Sequence, residues 1–184
     1  MANQPFVSNI REIQRRAREH IKNGAVTPGY RGDREQVIKI LNEALATELV
    51  CVLRYKHHYF TAEGMQAKAV ADEFLQHANE EQVHADRLAV RIRQLGGNPN
   101  MNPEGLLDRS HSQYHEGGSL VEMIQEDLIA ERIAIDSYSE IIRYLGDNDP
   151  TSRRLMEDIL GQEEEHAEDM ASFLMTMDPT QAVA

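Results

Sequence analysis

The chain has 184 residues, a net charge of −12, 41% hydrophobic and 27% charged residues. That is one ordinary domain with enough apolar material for a core, neither disordered nor fibrous. Eleven glycines and six prolines argue against an all-β sandwich, and one cysteine excludes a disulfide framework and any four-thiolate zinc or iron–sulfur site.

Residues 1–33 read as a basic extension. Through Arg34 the chain holds seven basic residues (Arg11, Arg15, Arg16, Arg18, Lys22, Arg31, Arg34) against Glu12, Glu19 and Asp33. This segment is +4, which leaves −16 on the rest. Ile10, Ile13, Ala17 and Ile21 fall on one face of a short helix, with a frayed tail as the alternative. Four long helices follow in a domain spanning 34–177. The first runs from Arg34 to Glu63, with Asp33 as N-cap and Gly64 as its stop. The second runs from Met65 to Leu95 and ends at Gly96-Gly97. A crossover over 96–118 contains a candidate short helix between Pro103 and Ser110. It is long enough to let the second and third helices run parallel. The third helix starts at the capping box Ser119-x-x-Glu122 and ends at Gly146. The fourth starts with Asp149 as N-cap and Pro150 at N1 and ends before Asp178-Pro179. Residues 178–184 form a short tail. The expected fold is all-α: an antiparallel four-helix bundle with a long crossover between its second and third helices. No apolar run is long enough for a membrane span and no signal peptide is evident. The single cysteine fits a reducing, cytoplasmic setting.

Each helix carries an apolar stripe interrupted by ionisable residues. The stripes are Leu41-Leu45-Glu48-Val52-Tyr55, Phe74-His77-Glu81-His84-Leu88, Ile124-Asp127-Glu131-Ile135-Tyr138 and Ile159-Glu163-His166-Met170-Phe173. Four glutamates at one level of a core repel one another unless cations balance them. Two divalent ions match four carboxylates, and two histidines add neutral nitrogen ligands. That donor set suits iron or manganese, and the absence of thiolates argues against structural zinc.

Spacing supports the assignment. Glu81-x-x-His84 and Glu163-x-x-His166 are the only E-x-x-H sequences in the chain. Positions i and i+3 share a helix face, so one ion can take both side chains. The lone glutamates Glu48 and Glu131 precede these pairs by nearly equal separations. Tyr55 and Tyr138 each follow their glutamate by seven residues. The chain is therefore two copies of one hairpin, each with half of a metal site.

These segments resemble the ferritin-like superfamily, bacterioferritin above all: LNEALATELVCVLRYKHHYF, NEEQVHADR, DLIAERIAIDSY and ILGQEEEHAEDM match its four metal-bearing helices over residues 34–176. The resemblance implies terminal ligands Glu48 and Glu131, bridging carboxylates Glu81 and Glu163, and nitrogen ligands His84 and His166. Tyr55 matches the tyrosine beside the di-iron centre. His166 separates the site from animal-type ferritins, and the lack of a C-x-x-C module separates the chain from rubrerythrin. Gln82 stands where bacterioferritin has a haem-ligating methionine, so haem is not expected.

The short C-terminal tail, basic extension and long crossover resemble the twelve-subunit Dps (DNA-protection-during-starvation) shells. The chain looks most like the Dps-like hybrid, a bacterioferritin-type site in a twelve-subunit shell. Of the cysteine pair many such proteins carry, only Cys51 is present. The implied function is a ferroxidase that oxidises iron(II) to iron(III) with H2O2 or O2, holding two iron ions per chain, with manganese as the alternative metal. It stores iron in a homo-oligomeric shell, twelve subunits favoured over 24, and protects against oxidative stress. The alternatives are a Dps-type protein that binds DNA through the basic arm and a di-manganese, catalase-like peroxide scavenger.

The remaining polar residues carry weaker expectations. Asp127 is a candidate to orient a ligating imidazole, or a carboxylate at the bundle edge. Tyr138 reads slightly better as core filling than as a carboxylate partner. His77 reads as a core-edge histidine rather than a transit ligand, and Cys51 as a small apolar group. His57, His58, His111 and His115 are expected at the surface or an interface.

Overall fold

The computed structural model describes residues 9–64 and 67–177. Its helices are α1 (Ile10–Arg16), α2 (Arg34–Thr61), α3 (Ala67–Gln94), α4 (Leu106–Arg109), α5 (Leu120–Leu145) and α6 (Pro150–Met177), and there is a single 3-10 turn at Ile21–Asn23. Helices α2, α3, α5 and α6 are the four expected. The proposed start of the second at Met65, the Asp178-Pro179 stop and the 178–184 tail lie outside the described residues. Among the described residues there is no strand, and no helix is long and apolar enough to cross a membrane.

The caps follow from the sequence. Asp33 accepts the backbone N–H of Gln36, and Ser119 that of Glu122. Glu122 does not return the bond to Ser119; its Oε2 accepts from the N–H of Gly118 at 2.8 Å. Helix α3 closes with a Schellman motif: the N–H of Gly97 reaches Ile92 O and that of Gly96 reaches Arg93 O. Gly96 has φ +81°, and a Cβ on Gly97 would lie 2.7 Å from Ile38. Both glycines are needed where the chain turns tightly against α2.

The crossover sets the topology. Asn42, early in α2, holds Asn98 and Asn100; Thr47 accepts from His111 N; Arg54 reaches Ser112 and Gln113; His58, near the end of α2, meets His115 O. The crossover thus runs the length of α2. It delivers α5 to the end opposite the one where α3 finished, so α3 and α5 are parallel. Only Leu106–Arg109 of the expected 103–110 segment is helical. Its neighbours form side-chain-to-backbone turns such as Glu104 N to Asn102 Oδ1 instead.

Two apolar clusters fill the bundle, one at each end. The first includes Leu41, Leu45, Leu88, Ile92, Tyr138, Leu145, Met156 and Ile159; the second includes Cys51, Tyr55, Val70, Phe74, Ile124 and Met170. Each end also carries a buried ionic anchor. At the first, Arg91 pairs with Asp149 at 2.9 Å, and Asp149 also caps α6 through Ser152 and accepts from Tyr30. Burial pushes the Asp149 carboxyl up, but the bonds from Ser152 and Tyr30 and the Arg91 charge hold it below its ordinary 3.8. Its folded-state value is depressed, so the stabilisation is complete above 3.8 and is lost as pH falls through the folded value. An Asp149→Asn variant is therefore expected to lose stability at neutral pH and to show a flatter acid limb when melting temperature is followed against pH.

At the other end, Asp127 takes Arg54 Nε at 2.8 Å on one oxygen and His58 Nδ1 at 2.8 Å on the other. This corrects two expectations. Asp127 orients no ligating imidazole, and His58 is fully buried because the crossover covers it. His57 and His111 are half-buried and His115 is exposed.

The N-terminal helix forms, but Ile10, Ile13 and Ile21 remain 58%, 44% and 78% exposed, so its apolar face is not packed within the chain. Arg15 pairs with Glu12 and Glu19, which neutralises part of the arm's positive charge.

Candidate metal centre

Between the two apolar clusters, the four helices bring six buried ligand-type side chains to one level. Helix α2 supplies Glu48, α3 Glu81 and His84, α5 Glu131, and α6 Glu163 and His166. Their exposure is 3% or less. They form two overlapping groups, Glu48-Glu81-His84-Glu163 and Glu81-Glu131-Glu163-His166, each able to offer ligand atoms within 4.8 Å of one another. Glu81 and Glu163 belong to both groups, the placement required of bridging carboxylates. His84 Nδ1 lies 3.0 Å from Glu163, 3.3 Å from Glu48 and 3.4 Å from Glu81. His166 Nδ1 lies 3.3 Å from Glu81, 3.8 Å from Glu163 and 4.0 Å from Glu131.

The outer partners repeat with the hairpins. Tyr55 of α2 donates its hydroxyl to Glu131 of α5, and Tyr138 of α5 donates to Glu48 of α2. Tyr138 is thus a carboxylate partner as well as core filling. Glu80 Oε2 lies 2.8 Å from His166 Nε2, and Gln162 Oε1 lies 2.9 Å from His84 Nε2. Each pins the Nε2–H of an imidazole and aims the Nδ1 lone pair into the centre. Sequence reasoning missed Glu80 and Gln162. A signal was available, because they directly precede Glu81 and Glu163 and the two are related by the hairpin repeat. Glu80→Ala or Gln162→Ala is expected to weaken divalent-metal affinity by about 10- to 100-fold. Competitive titration with a chromophoric chelator measures this.

The donor set fits a pair of divalent cations. Both oxygens of Glu81, Glu131 Oε2, Glu163 Oε1 and His166 Nδ1 are buried without a hydrogen-bond partner. Orphaned acceptors converging in a dry core are what cations satisfy. The protonation pattern agrees. Burial pushes Glu48, Glu131 and Glu163 up, reinforced by the charge of Glu81. Burial also opposes ionisation of Glu81, but its neighbours Glu48, His166 and His84 hold it well below the usual range. Burial opposes protonation of the ligand histidines, yet the carboxylates raise both, His166 to about 9. Without metal, shared protons balance the buried charge, and two dications can replace them.

Residues 38–178 match the ferritin-like domain. The chain belongs to the ferritin-like family. It is similar to the bacterioferritin of Desulfovibrio desulfuricans (29% identical over 140 residues, 75% of this chain and 74% of the relative). It is also similar to the nutrient stress-induced DNA-binding protein of a Synechococcus species (31% over 144 residues, 76% and 81%). Among solved structures, the dodecameric thioferritin of Bacteroides fragilis, a bacterioferritin-related protein, superposes with a TM-score of 0.78 at 29% identity, covering 83% of this chain and 92% of the other. The diiron bacterioferritin of D. desulfuricans gives 0.71 at 25%, covering 80% and 85%. The ferritin-like bundle is thus shared with both bacterioferritin and Dps-type relatives.

Proposed function

We propose that this ferritin-like protein is a ferroxidase that oxidises iron(II) with H2O2 or O2 and stores the product in a homo-oligomeric shell, twelve subunits favoured. The observation that supports it most is the convergence of orphaned acceptor atoms from three helices, α3, α5 and α6, with Glu48 of α2 beside them, on two overlapping ligand groups. Glu48 and Glu131 serve as terminal ligands, Glu81 and Glu163 as bridges, and His84 and His166 as the nitrogen ligands. With peroxide the balance is two iron(II) and two protons per H2O2, giving two iron(III) and two waters; iron supplies the redox chemistry.

The chain's own residues do the rest. Hard, anionic carboxylates favour the higher charge of iron(III). Tyr55 and Tyr138 fix the rotamers of the terminal glutamates, and Glu80 and Gln162 fix the imidazoles. The apolar clusters on either side exclude bulk water and strengthen every charge interaction in the centre. The bacterioferritin-type relatives support iron. Manganese is the alternative metal, because the donors suit both.

The test is anaerobic iron(II) loading of the metal-free protein, followed by separate additions of O2 and H2O2. Absorbance reports iron(III), and light scattering sizes the particle. Fast oxidation of two iron(II) per chain is expected. Oxidation no faster than in buffer sinks the reading, and O2 evolution from peroxide without iron uptake would point to the catalase-like alternative.

Similarity to a relative named for DNA binding and the exposed Arg11 and Arg18 support a second reading, a DNA contact through the basic arm. Such a contact would be sequence-independent and salt-sensitive. A gel shift at low salt that disappears at moderate salt is the expected sign, and no shift at either removes it.

A further inference from the structure

His77 is the feature that the di-metal centre does not account for. It is fully buried, yet its Nε2 has no hydrogen-bond partner. That nitrogen faces Glu73 Oε1 at 3.4 Å and Asp169 Oδ2 at 3.5 Å. The other side of the ring fixes the tautomer. Tyr55 has one hydroxyl proton and gives it to Glu131. Its oxygen is therefore an acceptor for His77 Nδ1, 3.3 Å away. The proton of a neutral His77 belongs on Nδ1, which leaves Nε2 as a lone pair with two carboxylate oxygens within 3.5 Å. Three acceptors then face one another with no proton among them, at separations suited to three ligands on one small cation.

We propose that Glu73, His77 and Asp169 form a third divalent-cation site, distinct from the di-metal centre, that serves as its inlet. One imidazole and two carboxylates suit iron(II) or manganese(II). Glu73 and Asp169 keep 27% and 51% of their side chains exposed, so the site opens to solvent. Its inner wall is the His77 ring, stacked on His166 with centroids 4.0 Å apart. A further ligand-type group, His77-Glu80-His166, overlaps both the outer site and the centre. The outer site is thus linked to the centre through the stacked pair His77 and His166. The cation site stands on this geometry alone; its role as an inlet rests on the ferroxidase reading.

Manganese(II) is the probe, because it binds such donors without being oxidised by the assay. Equilibrium titration of the intact metal-free protein, with free manganese(II) followed by electron paramagnetic resonance, gives the number bound. Anomalous diffraction from manganese-soaked crystals gives the positions. Three ions per chain are expected, one of them among Glu73, His77 and Asp169. The double variant Glu73→Gln/Asp169→Asn is expected to bind two, both at the di-metal centre. Fewer than three in the wild-type protein, or three in the variant, overturns the site.

The inlet role is read separately, from iron(II) oxidation at substoichiometric iron. The variant is expected to be several-fold slower, and an unchanged rate overturns that role. If three manganese ions bind but neither protein oxidises iron(II) faster than buffer, the ferroxidase reading fails and the third site stands.

Discussion

Replacing Glu81 by alanine is expected to lower the rate of iron(II) oxidation by more than about 100-fold and to remove most of the stabilisation that divalent cations confer. Loss of an outer partner alone costs about 10- to 100-fold, and Glu81 sits closer in. It belongs to both ligand groups, and its two oxygens face opposite imidazoles, Oε1 toward His166 and Oε2 toward His84. Removing it dismantles both half-sites together. A cation that binds only the folded state raises stability by RT ln(1 + [L]/Kd), so the wild-type melting temperature should climb with manganese(II) concentration. The variant's should climb far less, because only the proposed outer site remains to bind the cation. The cation-free Glu81→Ala protein is expected to fold, because the change removes a buried charge rather than orphaning one. A variant that still oxidised two iron(II) per chain at the wild-type rate would refute the bridging assignment.

The second large effect is structural. Asp127→Ala is expected to destabilise the cation-free protein by about 3–5 kcal/mol, since it leaves a buried guanidinium without its counter-charge. Arg54 is 1% exposed, and its other hydrogen-bond partners, Ser112 Oγ and Gln113 O at 3.0 Å each and Cys51 Sγ at 3.6 Å, are neutral. His58 would lose its partner in the same step. The damage should centre on the crossover, so limited proteolysis is expected to cut near residues 110–118 in the variant and not in the wild type. Arg54→Met/Asp127→Leu should recover most of the loss, because a well-packed apolar pair can replace a buried ion pair. A loss below about 1 kcal/mol in Asp127→Ala would show that the pair contributes little.

The bundle was legible because its helices carry strong periodic stripes and readable caps. Glu48, Glu81, His84, Glu131, Glu163 and His166 were legible because the hairpin repeats, and the structure brings all six together. What failed was whatever depended on the crossover, which has no period. Asp127 lies on the same helix face as Glu131, and nothing in the spacing shows that Arg54 and His58 are its neighbours. His58 looked like a surface residue for the same reason. From its stripe position His77 reads only as a core-edge histidine; the two carboxylates that face it come from different helices, Glu73 from α3 and Asp169 from α6, and no spacing shows them together. Glu80 and Gln162 lie at the edge of the stripes, where only their matched places in the hairpin repeat separate them from a solvated carboxylate or amide.

The borrowed partners have a consequence for assembly of the bundle. Neither hairpin can complete its own half-site: Tyr55 serves Glu131 and Tyr138 serves Glu48, while Glu80 serves His166 and Gln162 serves His84. Tight metal binding is therefore a property of the docked pair, and a fragment carrying α2 and α3 alone should bind cations weakly. Cleaving the chain within the crossover gives two such fragments. Recovery of tight binding on mixing them would report their docking directly, with the metal as the indicator of complementation.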